Sequence, residues 1–368
     1  MLERWFAKYE FSAPYQLCNS DCEAVAQKTL LELADDEVAA LWRDLSLAYT
    51  QTKGHPVLLN AIAEHYESDL IRSDSIQTFA PEEGIYAAMR CLVRPNDTVV
   101  CTFPGYQSLY EIAKAIGAKC VPWTVREEDG RFRFDPSDLE AIVEEVDPKL
   151  IVVNFPHNPT GALPTQEEWE RIARIADRTG ATLFSDEMYR YLEYDEADRL
   201  PSACEISPNA VTLAGLSKSW GCPGLRIGWL ASQCAEFLDE TAAYRDYLSI
   251  CSAAPAEILG IVALRETERL CGLNRQRVLA HLSIAETRIS AMSDVEWRSP
   301  QAGPIAFPKL AAGTGAEAYA TTWVREKGLL LLPSTMYEYG DAHFRVGLGR
   351  ADFSDVFEIW AGGLGAGS

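Results

Sequence analysis

The 368-residue sequence lacks several features that mark common classes of protein. No apolar run is long enough to span a bilayer, and the opening residues, MLERWFAKYEF, contain no apolar signal-peptide core. Histidine is scarce, with five residues and no ligand-like pair, and the ten cysteines include no CxxC motif. We therefore expect a cytoplasmic protein with no membrane contact, no metal site and no disulfide framework.

Positive charge is also in deficit, because 33 lysines and arginines face 54 aspartates and glutamates, for a net charge of -21. This balance argues against nucleic acid and anionic membranes as partners. Its ordinary interpretation is solubility, and composition alone leaves open a field that favours a cationic substrate. A hydrophobic content of 48% in a chain of this length predicts two well-buried lobes.

The middle of the sequence alternates apolar β-rich runs with amphipathic helical patterns. The helical pattern over 165–180 begins with Thr165 as N-cap, has Glu168 three residues later and stops at Gly180. Strands that are apolar on both faces and alternate with helices predict a mostly parallel sheet covered by helices, an α/β fold. The β-rich runs are 98–103, 149–155, 181–186 and 210–217, and a second helical segment is 107–117.

After residue 250 the pattern changes to long helical stretches followed by short strands, which predicts a smaller α+β domain. We expect an N-terminal segment, 1–45, that joins this small domain, a large domain over 46–255, and the small C-terminal domain over 256–368. The glycine-rich tail GGLGAGS is expected to fray.

Polar and aromatic residues follow the ends of the predicted strands, where ligands bind in parallel sheets. LSKSWGCPGLRIGW places Lys218 in a small, apolar setting, which suits an amine that reacts with a carbonyl group. Arg226, eight residues on, suits an anion, and Ser217 with backbone amides at a helix start would help to hold it. A phosphorylated pyridine aldehyde would satisfy both requirements.

Such a ligand gives each of the other strand ends a task. Asp186 would pair with a protonated ring nitrogen, so that the ring accepts the electrons released at the substrate Cα. Tyr189 and Asn158 would donate hydrogen bonds to a ring oxygen, and Tyr106 would stack on the ring. Each residue alone is more typical of a turn, a cap or a core. Their order and spacing together favour the site.

The motifs NFPHNPTG, SDEMY, and SK followed by GLRIGW resemble the class I/II aminotransferase family, pyridoxal-phosphate (PLP) enzymes of fold type I. The resemblance covers nearly the whole chain. It implies that Lys218 is the Schiff-base lysine, Asp186 the ring-nitrogen partner, and Tyr189 and Asn158 the ring-oxygen donors. It also implies that Tyr106 is the stacking ring.

Three further roles come from the same resemblance. Arg226 becomes a phosphate ligand. Tyr49, in YTQTKG, matches a tyrosine that reaches the phosphate of a neighbouring subunit, which implies a homodimer with shared active sites. Arg345, in HFRVGLGR, matches the arginine that grips the substrate α-carboxylate, with Asn158 beside the substrate.

The sequence departs from the family pattern where the phosphate loop is expected. It reads FAPEEGIYAAM, and Pro81 has no N–H to offer. The amides of Glu82 and Glu83 would have to hold the phosphate, with their carboxylates close to an anion. A serine that the family often has three residues before the lysine is replaced by Gly215.

The motifs identify the cofactor rather than the reaction. We expect an enzyme that forms an external aldimine with an α-amino acid, most often for transamination. The alternative is a cyclase or lyase acting by elimination and addition on a hydroxylated arginine, since the sequence resembles capreomycidine synthase and related cyclic-arginine-forming enzymes. Glu10, Asp21 and Glu23 would then meet a guanidinium, although each alone is more typical of a solvated face or cap. A non-catalytic regulator is disfavoured, because the acidic chain has no DNA-binding appendage.

Overall fold

A computed structural model describes residues 1–313 and 315–363 of the chain. Most of the GGLGAGS tail, and with it the expectation that the tail frays, lies outside the described residues. The β-strands are β1 (Tyr15–Gln16), β2 (Ile76–Phe79), β3 (Thr98–Phe103), β4 (Lys119–Thr124), β5 (Arg126–Glu128), β6 (Arg131–Arg133), β7 (Leu150–Asn154), β8 (Thr182–Asp186), β9 (Ala210–Gly215), β10 (Gly228–Ser232), β11 (Val295–Glu296), β12 (Ile305–Ala306), β13 (Lys309–Leu310), β14 (Leu329–Leu330), β15 (Leu332–Pro333) and β16 (Phe344–Gly347).

Helices flank these strands along the whole chain. The α-helices are α1 (Leu2–Tyr9), α2 (Gln27–Leu33), α3 (Asp36–Arg43), α4 (Pro56–Ala63), α5 (Pro81–Leu92), α6 (Ser108–Ile116), α7 (Pro136–Val146), α8 (Gln166–Thr179), α9 (Ala203–Ile206), α10 (Ala235–Arg245), α11 (Ala254–Arg265), α12 (Thr267–Ile289), α13 (Ala316–Glu326) and α14 (Phe353–Ala361). Within the described ranges, none of them is both long and apolar enough to cross a membrane.

The central sheet has seven strands in the order β2-β10-β9-β8-β7-β3-β4. Strand β10 runs antiparallel to both of its neighbours, and the pairs from β9 through to β4 are parallel. Every residue of β7 and of β9 is buried, because helices cover both faces of the sheet. The predicted α/β fold with a mostly parallel sheet is confirmed.

The local signals in the sequence correspond to the observed elements. Helix α8 begins at a capping box, in which the Thr165 hydroxyl accepts from the Glu168 amide and the Glu168 carboxylate accepts from the Thr165 amide. It ends at Gly180, which has a φ of 72°. Strand β9 stops at Gly215, two residues before the end of the predicted run, so that Ser217 and Lys218 lie in the turn that follows it.

The C-terminal part of the chain forms short strands and long helices, as the change of pattern after residue 250 predicts. Strands β12, β16 and β15 make a three-stranded sheet, and β11 pairs with β13. Strand β1 pairs with β14, which attaches the N-terminus to this part of the chain. Helices α2 and α3, by contrast, pack against α11. The domain boundaries at 45/46 and 255/256 stay a prediction.

The segment that follows β1 lies directly against the end of β16. The Gly347 amide donates to the Leu17 carbonyl at 2.7 Å, and the Glu23 amide donates to the Gly349 carbonyl at 2.9 Å. A Cβ atom on Gly347 would overlap the backbone oxygen of Asn19. Glycine at position 347 therefore permits the close approach of residues 19–21 to the end of β16.

We predict that Gly347→Ala displaces the segment 17–23, because the added methyl group has no space. The expected result is faster proteolysis near residue 20 and a free energy of unfolding lowered by about 1–3 kcal/mol, as for overpacked sites. Limited proteolysis and urea denaturation would measure both effects. Gly272→Ala is the matched control, because a Cβ there meets no atom within 4 Å and the site is helical. Equal behaviour of the two variants would contradict the prediction.

Candidate active site

A cavity of about 280 Å³ opens at the carboxyl ends of the parallel strands. Strand β7 contributes Asn154, strand β8 contributes Asp186, and the turn after β9 contributes Ser217 and Lys218. The segments that these strand ends deliver are far apart in sequence and meet only through the sheet. The cavity is lined by eleven of the predicted site residues: Glu10, Asp21, Glu82, Tyr106, Asn158, Asp186, Tyr189, Ser217, Lys218, Arg226 and Arg345.

Three predicted residues do not line the cavity: Tyr49, Glu83 and Glu23. Tyr49 is 83% exposed and does not line the cavity of its own chain. The carboxylate of Glu83 turns away from the cavity and accepts a hydrogen bond from the Ser249 amide at 3.3 Å. The sequence prediction assigned the backbone amide of Glu83, not its side chain, to the anion site. Because the side chain turns away, its negative charge does not lie beside that site.

Lys218 presents its amine to the cavity from the turn after β9. Its Nζ donates to the Ser20 hydroxyl at 3.0 Å. Burial lowers the pKa of Lys218, while the nearby Asp21 carboxylate acts in the opposite direction. A lysine whose charged form is disfavoured releases its proton more readily than a surface lysine and so becomes a nucleophile or a base.

Asp186 is buried at the last position of β8. Burial raises its pKa to about 7, because the carboxylate loses water, although its Oδ1 accepts from the Met188 amide at 3.1 Å. No cation lies at ion-pair distance from it among the described residues. A carboxyl group in this state favours a cationic partner from outside the chain, since such a partner would stabilise its charge.

Asn158 and Arg345 are held in one buried network. The Asn158 amide nitrogen of the main chain donates to Asn154 Oδ1 at 2.8 Å, which fixes the loop after β7. The Asn158 side-chain oxygen accepts from Tyr337 at 3.1 Å and from Arg345 Nη1 at 3.2 Å. Arg345 also donates from Nε to the Cys18 carbonyl at 2.8 Å. These bonds leave Arg345 Nη2 free of hydrogen bonds within the described part of the chain.

The cavity also carries groups that suit an anion. Helix α5 starts at Pro81, and its first intrahelical bond runs from the Gly84 amide to the Ala80 carbonyl. The amides of Glu82 and Glu83 therefore remain available at the positive end of the helix. Ser217 Oγ is buried without a hydrogen-bond partner in the described residues. Arg226, which is exposed, also lines the cavity.

Tyr106 connects the start of helix α5 with the N-terminal helix α1. Its hydroxyl donates to Glu82 Oε2 at 3.0 Å and lies 3.4 Å from Glu3 Oε1. Burial and the two carboxylates raise its pKa, so the hydroxyl stays protonated. Tyr189 is buried beside the cavity, and burial raises its pKa as well.

A wall of carboxylates comes from the N-terminal segment, and sequence reasoning found only part of it. Glu10 and Asp21 line the cavity, as does Glu3, which was missed. Burial is the largest cause of the raised pKa of Glu10, and the charges of Glu3 and Asp21 raise this pKa further. Glu23 instead accepts from the Ala351 amide at 2.8 Å and does not line the cavity. The seven-residue spacing of Glu3 and Glu10, two helical turns, was a signal available in the sequence.

Other lining residues carried no recognisable local signal. Ser20, the acceptor for Lys218, and Arg350 reach the cavity only through tertiary packing. Arg350 Nε lies 3.3 Å from Asp21 Oδ1, an ion pair without hydrogen-bond geometry. Tyr337, which bonds to both Asn158 and Arg345, was also missed.

The residues present fit the cofactor that the sequence motifs imply. A phosphate requires donors, which the α5 amides, the unpartnered Ser217 hydroxyl and Arg226 offer. A protonated pyridine nitrogen requires a carboxylate, and Asp186 has no cationic partner of its own in residues 1–313 and 315–363. In those same ranges, no three His, Cys, Asp or Glu side chains cluster as metal ligands would.

Comparisons with known proteins agree with this fit. The sequence profile of the family described as aminotransferase class I and II matches residues 15–354. An aspartate aminotransferase from Pyrococcus horikoshii is 28% identical over 307 residues, covering 81% of this chain and 78% of that protein. Capreomycidine synthase from Streptomyces vinaceus is 30% identical over 277 residues, covering 73% of this chain and 68% of that protein.

A solved structure extends the likeness to nearly the full chain. A PLP-dependent aminotransferase from Streptococcus suis 89-1591 superimposes with a TM-score of 0.90 at 26% identity, covering 98% of this chain and 96% of that one. The resemblance predicted from the sequence motifs is thus confirmed. The chain belongs to the class I and II aminotransferases, transferase enzymes that use pyridoxal 5′-phosphate.

Proposed function

We propose that this enzyme transfers the amino group of an α-amino acid, with Lys218, Asp186 and Arg345 in the central roles. The observation that carries the proposal is that a lysine with a lowered pKa and a buried, unpaired aspartate line the same cavity. When bound, pyridoxal phosphate supplies an aldehyde that condenses with amines and a ring that accepts the electron pair released at the substrate Cα.

Each of the three residues has a task that follows from its surroundings. Asp186, buried and without a cationic partner among the described residues, would hold the ring nitrogen in its protonated form. Lys218, once released from the cofactor, would take the proton from Cα, because its lowered pKa leaves the amine unprotonated more often than that of a surface lysine. Arg345 would hold the α-carboxylate through Nη2.

A held carboxylate also favours one reaction over another. With its carboxylate bound to a buried guanidinium, the substrate keeps the Cα–carboxylate bond, and the Cα–H bond remains the one to break. Lys218 lines the same cavity and would serve as the base for that proton. Transamination would require Lys218 to carry the proton from Cα to the aldehyde carbon of the cofactor before hydrolysis releases the 2-oxo acid.

We predict that an amino acid added without a 2-oxo acid converts the bound cofactor to pyridoxamine phosphate and releases one 2-oxo acid. Absorbance and product analysis would follow this half-reaction. Borohydride added to the resting enzyme should fix a pyridoxyl group on Lys218, which peptide mass spectrometry would locate. Lys218→Ala should lose activity by roughly 10²-fold or more, the scale of a general base. A label on another residue would overturn the proposal.

We further propose that the substrate side chain is cationic. Glu3, Glu10 and Asp21 bring three carboxylates to one wall of the cavity, and Glu10 makes no ion pair within the described residues. An acidic side chain would meet these like charges, and the one arginine beside them, Arg350, shares its charge with Asp21 at 3.3 Å. A guanidinium or ammonium group would instead stabilise the charged form of Glu10, whose pKa is raised by burial and by the charges of Glu3 and Asp21.

We predict that Glu10→Gln raises the KM for arginine or lysine by roughly tenfold, the effect of losing about 1.4 kcal/mol of charge-assisted hydrogen bonding. The KM for neutral amino acids should stay the same or fall, since Glu10 does not attract them. Glu23→Gln is the matched control, because Glu23 lies in the same segment outside the cavity. Unchanged selectivity in Glu10→Gln would remove this residue from the substrate site.

A second candidate is a cyclase or lyase that acts by elimination and addition on a hydroxylated arginine. The same acidic wall supports it, because such a substrate also carries a guanidinium, and capreomycidine synthase is among the relatives. The half-reaction described above separates the two candidates. Retention of the pyridoxal form together with a cyclised or eliminated product would favour the second.

We also propose a cytoplasmic homodimer in which Tyr49 completes the active site of the neighbouring subunit. Support comes from the 83% exposure of Tyr49, which leaves its hydroxyl free to reach another chain. The loop that carries it is anchored, since the Thr50 hydroxyl donates to Glu257 at 2.8 Å. A fixed loop that presents an exposed tyrosine suits contact with a second copy.

We predict complementation between Lys218→Ala and Tyr49→Ala chains that are expressed together. Each variant alone should be weak, whereas the mixed dimer has one site with both native residues and should regain activity. Lys218→Ala with Asp186→Asn is the control pair: both side chains come from one subunit, so every mixed site carries a defect. Equal behaviour of the two pairs in an activity assay of purified mixed dimers would contradict shared sites.

A further inference from the structure

Tyr337 is fully buried at the end of the single helical turn Ser334–Tyr337, between β15 and β16. Its hydroxyl lies between two residues of the proposed active site. Arg345 Nη1 donates to it at 2.8 Å, and it lies 3.1 Å from Asn158 Oδ1. Nothing in the roles assigned above uses this hydroxyl.

The chemistry of the three groups fixes the direction of each hydrogen bond. A guanidinium only donates, so Arg345 Nη1 gives its proton to the Tyr337 oxygen. The single proton of Tyr337 is then free for Asn158, which accepts it through Oδ1. Arg345 Nη1 donates to the same Oδ1 at 3.2 Å. An amide turned the other way would set its NH2 group against the guanidinium.

This arrangement decides what Asn158 offers to the cavity that it lines. With Oδ1 held by two donors, Nδ2 is the group left for a ligand, and it makes no hydrogen bond in residues 1–313 and 315–363. Tyr337 also occupies Arg345 Nη1, while the Cys18 carbonyl occupies Nε. The Nη2 edge is thereby left for a carboxylate.

We propose that Tyr337 is a positioning residue that orients both the Asn158 amide and the Arg345 guanidinium toward the cofactor and the substrate. The inference rests on the function proposed above, in which Asn158 donates to the cofactor ring oxygen and Arg345 holds the α-carboxylate. Tyr337 acts through these two side chains and does not line the cavity.

The surroundings of Tyr337 suit a fixed donor rather than a proton-transfer group. Burial raises its pKa to about 12, so the hydroxyl keeps its proton across the neutral range. Its ring packs edge-on against Phe307, with centroids 5.8 Å apart. Phenylalanine would preserve this packing and remove only the hydroxyl.

The test compares Tyr337→Phe with Tyr319→Phe. The control also loses a hydroxyl that accepts from an N–H group, here the Trp360 indole at 3.0 Å, but it lies away from the cavity. The first measurement is the pH dependence of the visible absorbance of the holoenzyme. A donor to the ring oxygen withdraws electron density and lowers the proton affinity of the chromophore. The pH midpoint of the absorbance change should therefore rise in Tyr337→Phe, by on the order of half to one pH unit.

The second measurement is steady-state kinetics with the same variants. We expect Tyr337→Phe to raise the KM for amino acids by roughly tenfold, since Arg345 loses the acceptor that aligns it. Tyr319→Phe should leave both the absorbance midpoint and KM unchanged. A midpoint and KM in Tyr337→Phe equal to those of the parent enzyme, or equal changes in both variants, would overturn the inference.

A third arm asks whether Tyr337 acts through Asn158. In an Asn158→Ala background, Tyr337→Phe should no longer shift the absorbance midpoint, because the group it orients is gone. A shift of the same size in both backgrounds would overturn the proposed route. This arm also accounts for a folding defect caused by Tyr337→Phe. The effect of that substitution is measured as a difference within each background, so a general defect would appear equally in both. Failure of borohydride to label Lys218 would instead contradict the proposed function itself, so the two failures are distinguishable.

Discussion

The site depends on two groups of opposite charge, Lys218 and Asp186, which are buried together at the carboxyl ends of the parallel strands. Burial disfavours the charged form of each, so it lowers the pKa of Lys218 and raises that of Asp186 to about 7. Neither change stabilises the protein by itself. Both make sense with a ligand that forms a bond to the amine and brings a cation to the carboxyl group. The parallel strands hold the two side chains in place, because β8 and β9 are adjacent and deliver their ends to the same edge.

The remaining walls come from a segment that is remote in sequence. Residues 17–23 lie flat against the end of β16 because Gly347 and Gly349 have no side chains to keep them apart. That contact carries Ser20 to the Lys218 amine and Asp21 to the cavity. The N-terminal helix is attached separately, through the Trp5 indole, which donates to the Leu331 carbonyl at 3.0 Å. In the proposed function, selectivity for the substrate side chain would thus reside in a different part of the chain from the chemistry at Cα.

The sequence predicted what short segments encode by themselves. The capping box at Thr165 and the apolar runs of the sheet are local patterns. The residues that follow each run come together because parallel strands place their carboxyl ends on the same side of the sheet. Glu3 was missed although its spacing from Glu10 is a helical signal, because a face of α1 is meaningful only once its neighbour is known. Tyr337 had no signal, since its partner Asn158 lies 179 residues away. Tyr49 is exposed, and the role proposed for it would require a second chain.

Part of the negative charge behind the net charge of -21 lines the cavity. Most acidic residues lie on the surface, where water screens them and they contribute little to selectivity. The carboxylate of Glu10 is half-buried, and burial together with the like charges of Glu3 and Asp21 raises its pKa, so a cationic ligand would stabilise its charged form. The buried guanidinium of Arg345 lines the same cavity, and its Nη2 makes no hydrogen bond among the described residues. An amino acid with a cationic side chain would therefore find complementary charge at both of its ends, with its carboxylate on Arg345 and its side chain on the acidic wall.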